Sequence, residues 1–230
     1  MVRICAKGTP LLKECGLLKT RNIRKVRWDN VAVAMLSPFR KWRVFAVSQQ
    51  NLHAPSPPSK TLLRFLDQIA SSYGAPILDA PCGFGRNALP LADKGFNVIA
   101  VDKSFARLKS LQKSISRKTH VVGEVFPLCA DLTKGKLPFD QSSFSAILCI
   151  HYPVQNILAD FDHQLIDGGH IFIETFGGHG ENYLELPKAG EIRQALRGYK
   201  LLFYNERSVG PISQNSVVVK ALAQKCCAAR

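Results

Sequence analysis

An aspartate closes one short apolar run, two glycines follow four and six residues later with an arginine directly behind them, and a second aspartate closes the next apolar run. Asp79, Gly83, Gly85, Arg86 and Asp102 are therefore the residues whose types and spacing can build a ligand site. The stretch Ile77-Leu78-Asp79-Ala80-Pro81-Cys82-Gly83-Phe84-Gly85-Arg86-Asn87-Ala88 reads as a strand running through a glycine turn into a helix. Glycines let a backbone approach a ligand closely, and free amides at a helix start, with Arg86 beside them, hold an anion. The carboxylate of Asp102 can accept hydrogen bonds from a ribose diol.

The elements that must position these residues alternate along the chain. Short apolar runs predict strands at 76–80, 97–101, 125–130, 145–150, 170–175, 200–206 and 215–222, and helical patterns fall at 86–94, 104–116, 154–166 and 189–197. Strands separated by helices pair in parallel, because each crossover must return over the sheet. The last two strands are separated only by the turn region Ser208 to Gln214, which predicts an antiparallel hairpin at one edge. The expected fold is α/β, a doubly wound, mostly parallel seven-stranded sheet with an antiparallel C-terminal hairpin. In such a sheet the ligand crevice lies at the carboxyl ends of the strands, where both aspartates stand.

Gly83-x-Gly85-x-x-Ala88 also satisfies the dinucleotide fingerprint, so a NAD-binding dehydrogenase or a non-catalytic nucleotide-binding module shares the motif. A dinucleotide-binding first strand is usually apolar up to its glycines, whereas Asp79 interrupts this one. The run Leu-Asp-x-x-Cys-Gly-x-Gly-Arg-Asn-Ala followed by Val-Asp closely resembles class I S-adenosylmethionine (SAM)-dependent methyltransferases, over about residues 60 to 222. That resemblance implies SAM as cofactor, with Gly83 and Gly85 approaching its methionine part and Asp79 beside it; Ala80 and Pro81 of the same turn are also expected at the cofactor, and Arg86 can neutralise a carboxylate there or simply be solvated at the helix start. It also implies Asp102 at the ribose hydroxyls and Asp131 with Leu132 at the adenine. Pro81 departs from the pattern, standing where a first glycine is usual, and a proline cannot take the positive φ open to glycine. The blocks Cys149-Ile150-His151-Tyr152-Pro153, Gly168-Gly169 and Ile173 through Asn182 resemble the small-molecule branch that includes tellurite-resistance methyltransferases.

Methyl transfer from a sulfonium is an in-line displacement, so the protein mainly aligns the reacting atoms and excludes water. A hydroxyl or ammonium acceptor must also lose a proton. His151, just past the fourth strand, has a near-neutral reference pKa suited to a base or can be structural, and Tyr152 beside it can line the acceptor pocket or simply pack. Glu174 can face the same rim or fix a loop, and His179, set between glycines, can cover the acceptor or stand idle. The Asn-Pro-Pro-aromatic signature of many nucleic-acid amino methyltransferases is missing after the fourth strand, where Ile150-His151-Tyr152-Pro153 stands. The histidines are dispersed and no helix carries a paired ligand motif, so no metal site is expected.

Charge divides the chain. The first 60 residues hold twelve of its 31 Lys and Arg but only Glu14 and Asp29 of its 17 acidic residues, and the breaker cluster at 54–59 separates this arm from the body. The expected organisation is a basic extension at 1–53 and a catalytic domain at 54–230, opened by a helix from Ser59 to about Tyr73. The arm reads as a solvated tail, as a basic segment for nucleic acid or acidic lipid, or as a targeting stretch, and Met35 is a second possible start. An arm of this kind keeps an RNA methyltransferase in view beside the small-molecule enzyme. Seven scattered cysteines without paired spacing fit reduced thiols in a cytoplasmic protein. No apolar run approaches the roughly 20 residues of a membrane span, so no membrane partner is expected.

Overall fold

A computed structural model describes residues 56–69, 74–118, 122–133, 137–177 and 182–227. The basic arm, Met35 and His179 lie outside them. Three strands, β1 (Ile77–Asp79), β2 (Val98–Asp102) and β4 (Phe144–Ile150), are buried along their whole length, as strands sandwiched between two helical layers must be. With β3 (Val125–Cys129), β5 (Leu165–Glu174), β6 (Tyr199–Val209) and β7 (Ser216–Lys225) they form one seven-stranded sheet of order β3-β2-β1-β4-β5-β7-β6. Pairings from β3 to β5 are parallel, and β7 runs antiparallel to both β5 and β6. The expected α/β fold with its C-terminal hairpin is the one observed.

Side chains alternate across the pleat, so neighbours on a strand serve opposite layers. Leu78, Ile147, Ile171 and Ile173 face one layer, where Leu158 and Phe161 of α5 (Leu158–Gln164) and Ile192 of α6 (Glu191–Ala195) pack. Ile77, Ala100, Leu148 and Phe172 face the other. Against them lie Leu62 of α1 (Lys60–Arg64), Leu66 and Ile69 of α2 (Leu66–Ile69), and Leu91 of α3 (Ala88–Asp93). Leu108 and Leu111 of α4 (Phe105–Arg117) complete that layer.

Three elements differ from the periodicity-based expectation. The helix expected from Ser59 is broken at Phe65, whose ring packs 5.0 Å from Phe203. Val154–Asn156 is a single 3-10 turn separated from α5 by Ile157, rather than the first turn of one long helix. β5 starts at Leu165, five residues earlier than expected, and absorbs Gly168-Gly169 as an irregularity between the pairs Phe144–Leu165 and Ala146–His170. Among the described residues no helix is long and apolar enough to cross a membrane.

Candidate active site

The carboxyl ends of β1, β2, β4 and β5 bring together Asp79, Asp102, His151 and Glu174. Strand order reverses between β1 and β4, which in an open α/β sheet opens the ligand crevice at that point. Asp79 ends β1 with no exposed surface, and neither carboxylate oxygen completes a hydrogen bond. Burial raises its pKa from 3.8 to about 7, against the nearby Arg86 charge and the Ala88 amide, which leans towards it, while Asp102 adds a smaller upward push. A buried carboxylate without partners costs free energy, and a cation brought to it removes that cost.

Asp102 is buried too, but satisfied. Its oxygens accept the Gly83 amide at 2.9 Å and the Ser104 amide at 2.8 Å, and Arg107 Nη1 stands 3.7 Å away. Two amides leave roughly half of a carboxylate's four lone-pair sites open. The Arg107 guanidinium lies 5.9 Å over the Phe84 ring, and its side chain is half-exposed and displaceable.

The two glycines of the turn have different roles. Gly83 has φ +58, and a Cβ there would meet nothing within 4 Å. Gly85, at φ +78, faces inward, where a Cβ would stand 2.3 Å from Leu111 Cδ1 on α4. Gly83 can thus admit a ligand to its backbone, while Gly85 seats the turn on α4. Between β1 and the glycines, Ala80 is a core residue whose amide donates to Leu148 O at 3.0 Å, and Ala80-Pro81 is a cis peptide.

Arg86 reaches from this turn towards β4. Its Nη1 donates to Pro57 O at 3.1 Å, and its Nη2 lies 3.5 Å from His151 Nε2. Because a guanidinium only donates, this pairing gives Nε2 the lone pair. His151 has φ +57, an uncommon backbone for a non-glycine residue, and its amide donates to Glu174 O at 2.7 Å. Burial first, then Arg86, lowers its pKa, with Lys220 adding to the effect and Glu174 opposing it. The balance of these effects favours the neutral imidazole.

Tyr152 is half-buried, and burial, Cys149 and Asp131 together raise its pKa. Asp131 binds the Thr133 amide at 3.0 Å and its hydroxyl at 2.7 Å, and Leu132 packs against the core beside it. Among the described residues, no three His, Cys, Asp or Glu side chains gather as a metal site.

A family model of the methyltransferase domain matches residues 77–169, a span holding Asp79, the glycine turn, Asp102, Asp131 and His151. Over that span the chain is similar to SAM-dependent methyltransferase domains. Solved structures share its fold at low identity. A SAM-dependent methyltransferase from Methanosarcina mazei has a TM-score of 0.52 at 16% identity, covering 74% of this chain and 99% of the other. TehB from Haemophilus influenzae scores 0.56 at 17%, covering 73% and 62%. Magnesium protoporphyrin IX methyltransferase from Synechocystis PCC 6803, with bound SAM, scores 0.51 at 20%, covering 72% and 76%. No curated protein sequence matches the chain.

The methyltransferase site also contains residues that motif reasoning missed or took for something smaller. Ser59, where the first helix was expected to open, accepts the Leu62 amide at 3.1 Å as its cap, and its hydroxyl also donates to Glu174 Oε2. Asn87 Oδ1 accepts the Ser59 amide at 3.0 Å, and Lys220 Nζ pairs with Glu174 Oε1 at 3.0 Å. A polar residue at the start of an amphipathic helix gives no local sign that it will be buried. Asn87 is nonetheless only 3% exposed.

Proposed function

We propose that the enzyme transfers a methyl group from SAM to a small-molecule acceptor, with the cofactor held between the turns that follow β1 and β2. The observation that carries this reading is the orphaned, buried carboxylate of Asp79. SAM bears an ammonium and a sulfonium, and a cationic group beside Asp79 would supply the missing partner. Asp102 keeps lone pairs for the ribose hydroxyls, Gly83 leaves room for close backbone approach, and Arg86 offers its charge to the methionine carboxylate. Asp131 and Leu132, beyond β3, are assigned to the adenine, and Ala80 with Pro81 to the wall of the methionine pocket.

Bound SAM supplies an electrophilic methyl carbon on sulfur. The protein's share is alignment, exclusion of water and removal of a proton where the acceptor is a hydroxyl or an ammonium. His151 is assigned the proton, because its pKa is lowered and its Nε2 is turned towards Arg86 at the rim. An anionic acceptor that engaged Arg86 would free that nitrogen. Tyr152, next along the chain, is assigned to the acceptor wall. A small acceptor is favoured over nucleic acid by the Ile150-His151-Tyr152-Pro153 run after β4, and the magnesium protoporphyrin methyltransferase of similar fold has a small-molecule substrate in its name.

Calorimetry with SAM, S-adenosylhomocysteine and NAD tests the cofactor. Saturable binding of the first two and none of NAD is expected, and NAD binding with no response to SAM would reject the assignment. Transfer of label from methyl-labelled SAM into fractionated cell extract then identifies the acceptor. Label confined to RNA would overturn the small-molecule reading.

A further inference from the structure

Positive charge gathers around His151 at the end of β4. Strand register sets part of it: Ile150 on β4 stands opposite Glu174 on β5, and Glu174 opposite Lys220 on β7. Residues directly across a ladder point to the same face, with neighbouring strands about 4.8 Å apart. Lys220 therefore stands on the β5 side of His151, the residue after Ile150. Arg86 approaches from the β1 side, with Nη2 3.5 Å from His151 Nε2. Both charges reach the imidazole strongly enough to push its pKa down.

Neither cation is used up. Lys220 Nζ lies 3.0 Å from Glu174 Oε1 and donates to the Thr61 hydroxyl at 3.3 Å, but an ammonium has a third N–H and this side chain is half-exposed. Among the described residues, Arg86 meets Pro57 O and His151 Nε2, both neutral acceptors, and a guanidinium carries N–H groups beyond those two. The carboxylates nearby are already engaged. Glu174 takes the Ser59 hydroxyl as well as Lys220, and Asp79 is fully buried, where the proposed site sets it against a cation of SAM. SAM brings two cationic centres and one carboxylate, so the loaded crevice stays net positive. Positive charge with spare donors selects an anion, and the bonds that Arg and Lys make to carboxylate or phosphate are the strong ones.

We propose that the methyl acceptor carries a carboxylate or phosphate that binds between Arg86 and Lys220 beside His151, as a handle separate from the atom that receives the methyl. The inference deepens the SAM reading of the site and rests on it. While Arg86 donates to Nε2, the imidazole lone pair is occupied; an anion that draws the guanidinium away frees that nitrogen to take a proton. An acceptor without the handle leaves His151 blocked, so the contact that binds the substrate also selects it. Lys220 is a specificity residue in this scheme, and Arg86 is a positioning residue for His151.

Inorganic phosphate is the probe. Full-length protein saturated with S-adenosylhomocysteine is titrated with phosphate at constant ionic strength while the His151 ring is followed by NMR, with His151→Gln marking its resonance. Saturable movement of that resonance is expected, with a pKa rise of about one unit, the effect of an opposite charge at close range. Lys220→Met should weaken phosphate by about tenfold, the loss expected for a charge-assisted hydrogen bond, and Arg86→Gln should abolish the pKa rise. Arg86→Gln, at a partly exposed position, covers the case in which Lys220→Met leaves Glu174 short of a donor and fails to fold. Movement linear in concentration, or matched by chloride, would overturn the handle, as would wild-type phosphate binding in both variants. The acceptor gives a second measurement. The product labelled from methyl-labelled SAM in cell extract should change its elution after phosphatase if the handle is a phosphate, or after carbodiimide coupling to an amine if it is a carboxylate. A product unmoved by both treatments has no free handle, and the proposal falls while SAM binding stands. A wild type that binds no S-adenosylhomocysteine would remove the cofactor reading and the handle together.

Discussion

The turns after β1 and β2 both start from a buried aspartate, and the two carboxylates are in opposite states. Asp102 is satisfied by the Gly83 and Ser104 amides, so it holds the glycine loop in shape whether or not a ligand is present. Asp79, a strand away, has no completed hydrogen bond and a pKa raised to about 7 by burial. One aspartate contributes to the fold and, in the proposed site, would offer its remaining lone pairs to a ligand. The other is a cost to the fold that the proposed cationic ligand would relieve, which is how a site stores binding free energy in advance.

The largest effect expected from breaking this contrast is at Asp79. Asp79→Asn keeps the shape and removes the charge, and should weaken SAM by about a hundredfold, in line with roughly 3 kcal/mol for a charged group's hydrogen bonds in a buried setting. Calorimetry measures it. The same variant, ligand-free at pH 8, should be more stable to urea than the wild type by about 1 to 3 kcal/mol, because a buried charge has gone. Loss of both affinity and stability would mean that Asp79 is structural.

Asp102→Ala should weaken SAM about tenfold or more, at roughly 1.5 to 3 kcal/mol for a charged acceptor, and should also lower stability, since two loop amides lose their partner. Opposite stability changes at two aspartates one strand apart would be the clearest sign that their roles differ. Unchanged SAM affinity in Asp102→Ala would mean that the ribose lies elsewhere.

Proton linkage gives the next effect. The folded pKa of Asp79 is raised above its reference value of 3.8, so the folded ligand-free protein keeps this proton up to about pH 7 while the unfolded chain releases it near 4. The destabilisation is absent below about pH 4, grows between 4 and 7 and is complete above 7. A cationic ligand requires the ionised form, so SAM affinity should fall by up to about tenfold per pH unit below 7, and Asp79→Asn should flatten that slope. A wild-type affinity independent of pH from 5 to 8 would contradict the pairing.

The smallest pair of effects separates the glycines. Gly83→Ala costs only positive-φ strain, about 1 kcal/mol, but should reduce SAM affinity severalfold. Gly85→Ala adds a collision with Leu111 and should cost stability by about 2 kcal/mol or more, with affinity changed less among molecules that remain folded. Urea melts and titrations on both variants give the ratio, and equal ratios would mean that the two positions do the same work.

Much of the body was legible in advance because its signals are local. Strand and helix order follows from apolar periodicity within windows of ten or so residues, and the parallel sheet follows from the crossovers. The final hairpin was legible from its short turn. What was missed is the pairing of residues far apart along the chain. Ser59 and Glu174 are 115 positions apart, and neither sits in a pattern that hints at the other.

By itself the sequence determined the order of elements, the sheet class, the acidic strand ends around a glycine turn, and through these the resemblance to methyltransferases. Such features are written in neighbouring residues, whose spacing selects backbone conformation before any long-range contact forms. Only the tertiary structure decided that Asp79 completes no hydrogen bond while Asp102 is satisfied, that Gly85 faces Leu111 rather than the crevice, and that Ser59 closes onto Glu174. Each of these depends on what the packed neighbours from distant segments leave exposed, bonded or charged, and no local pattern carries that information.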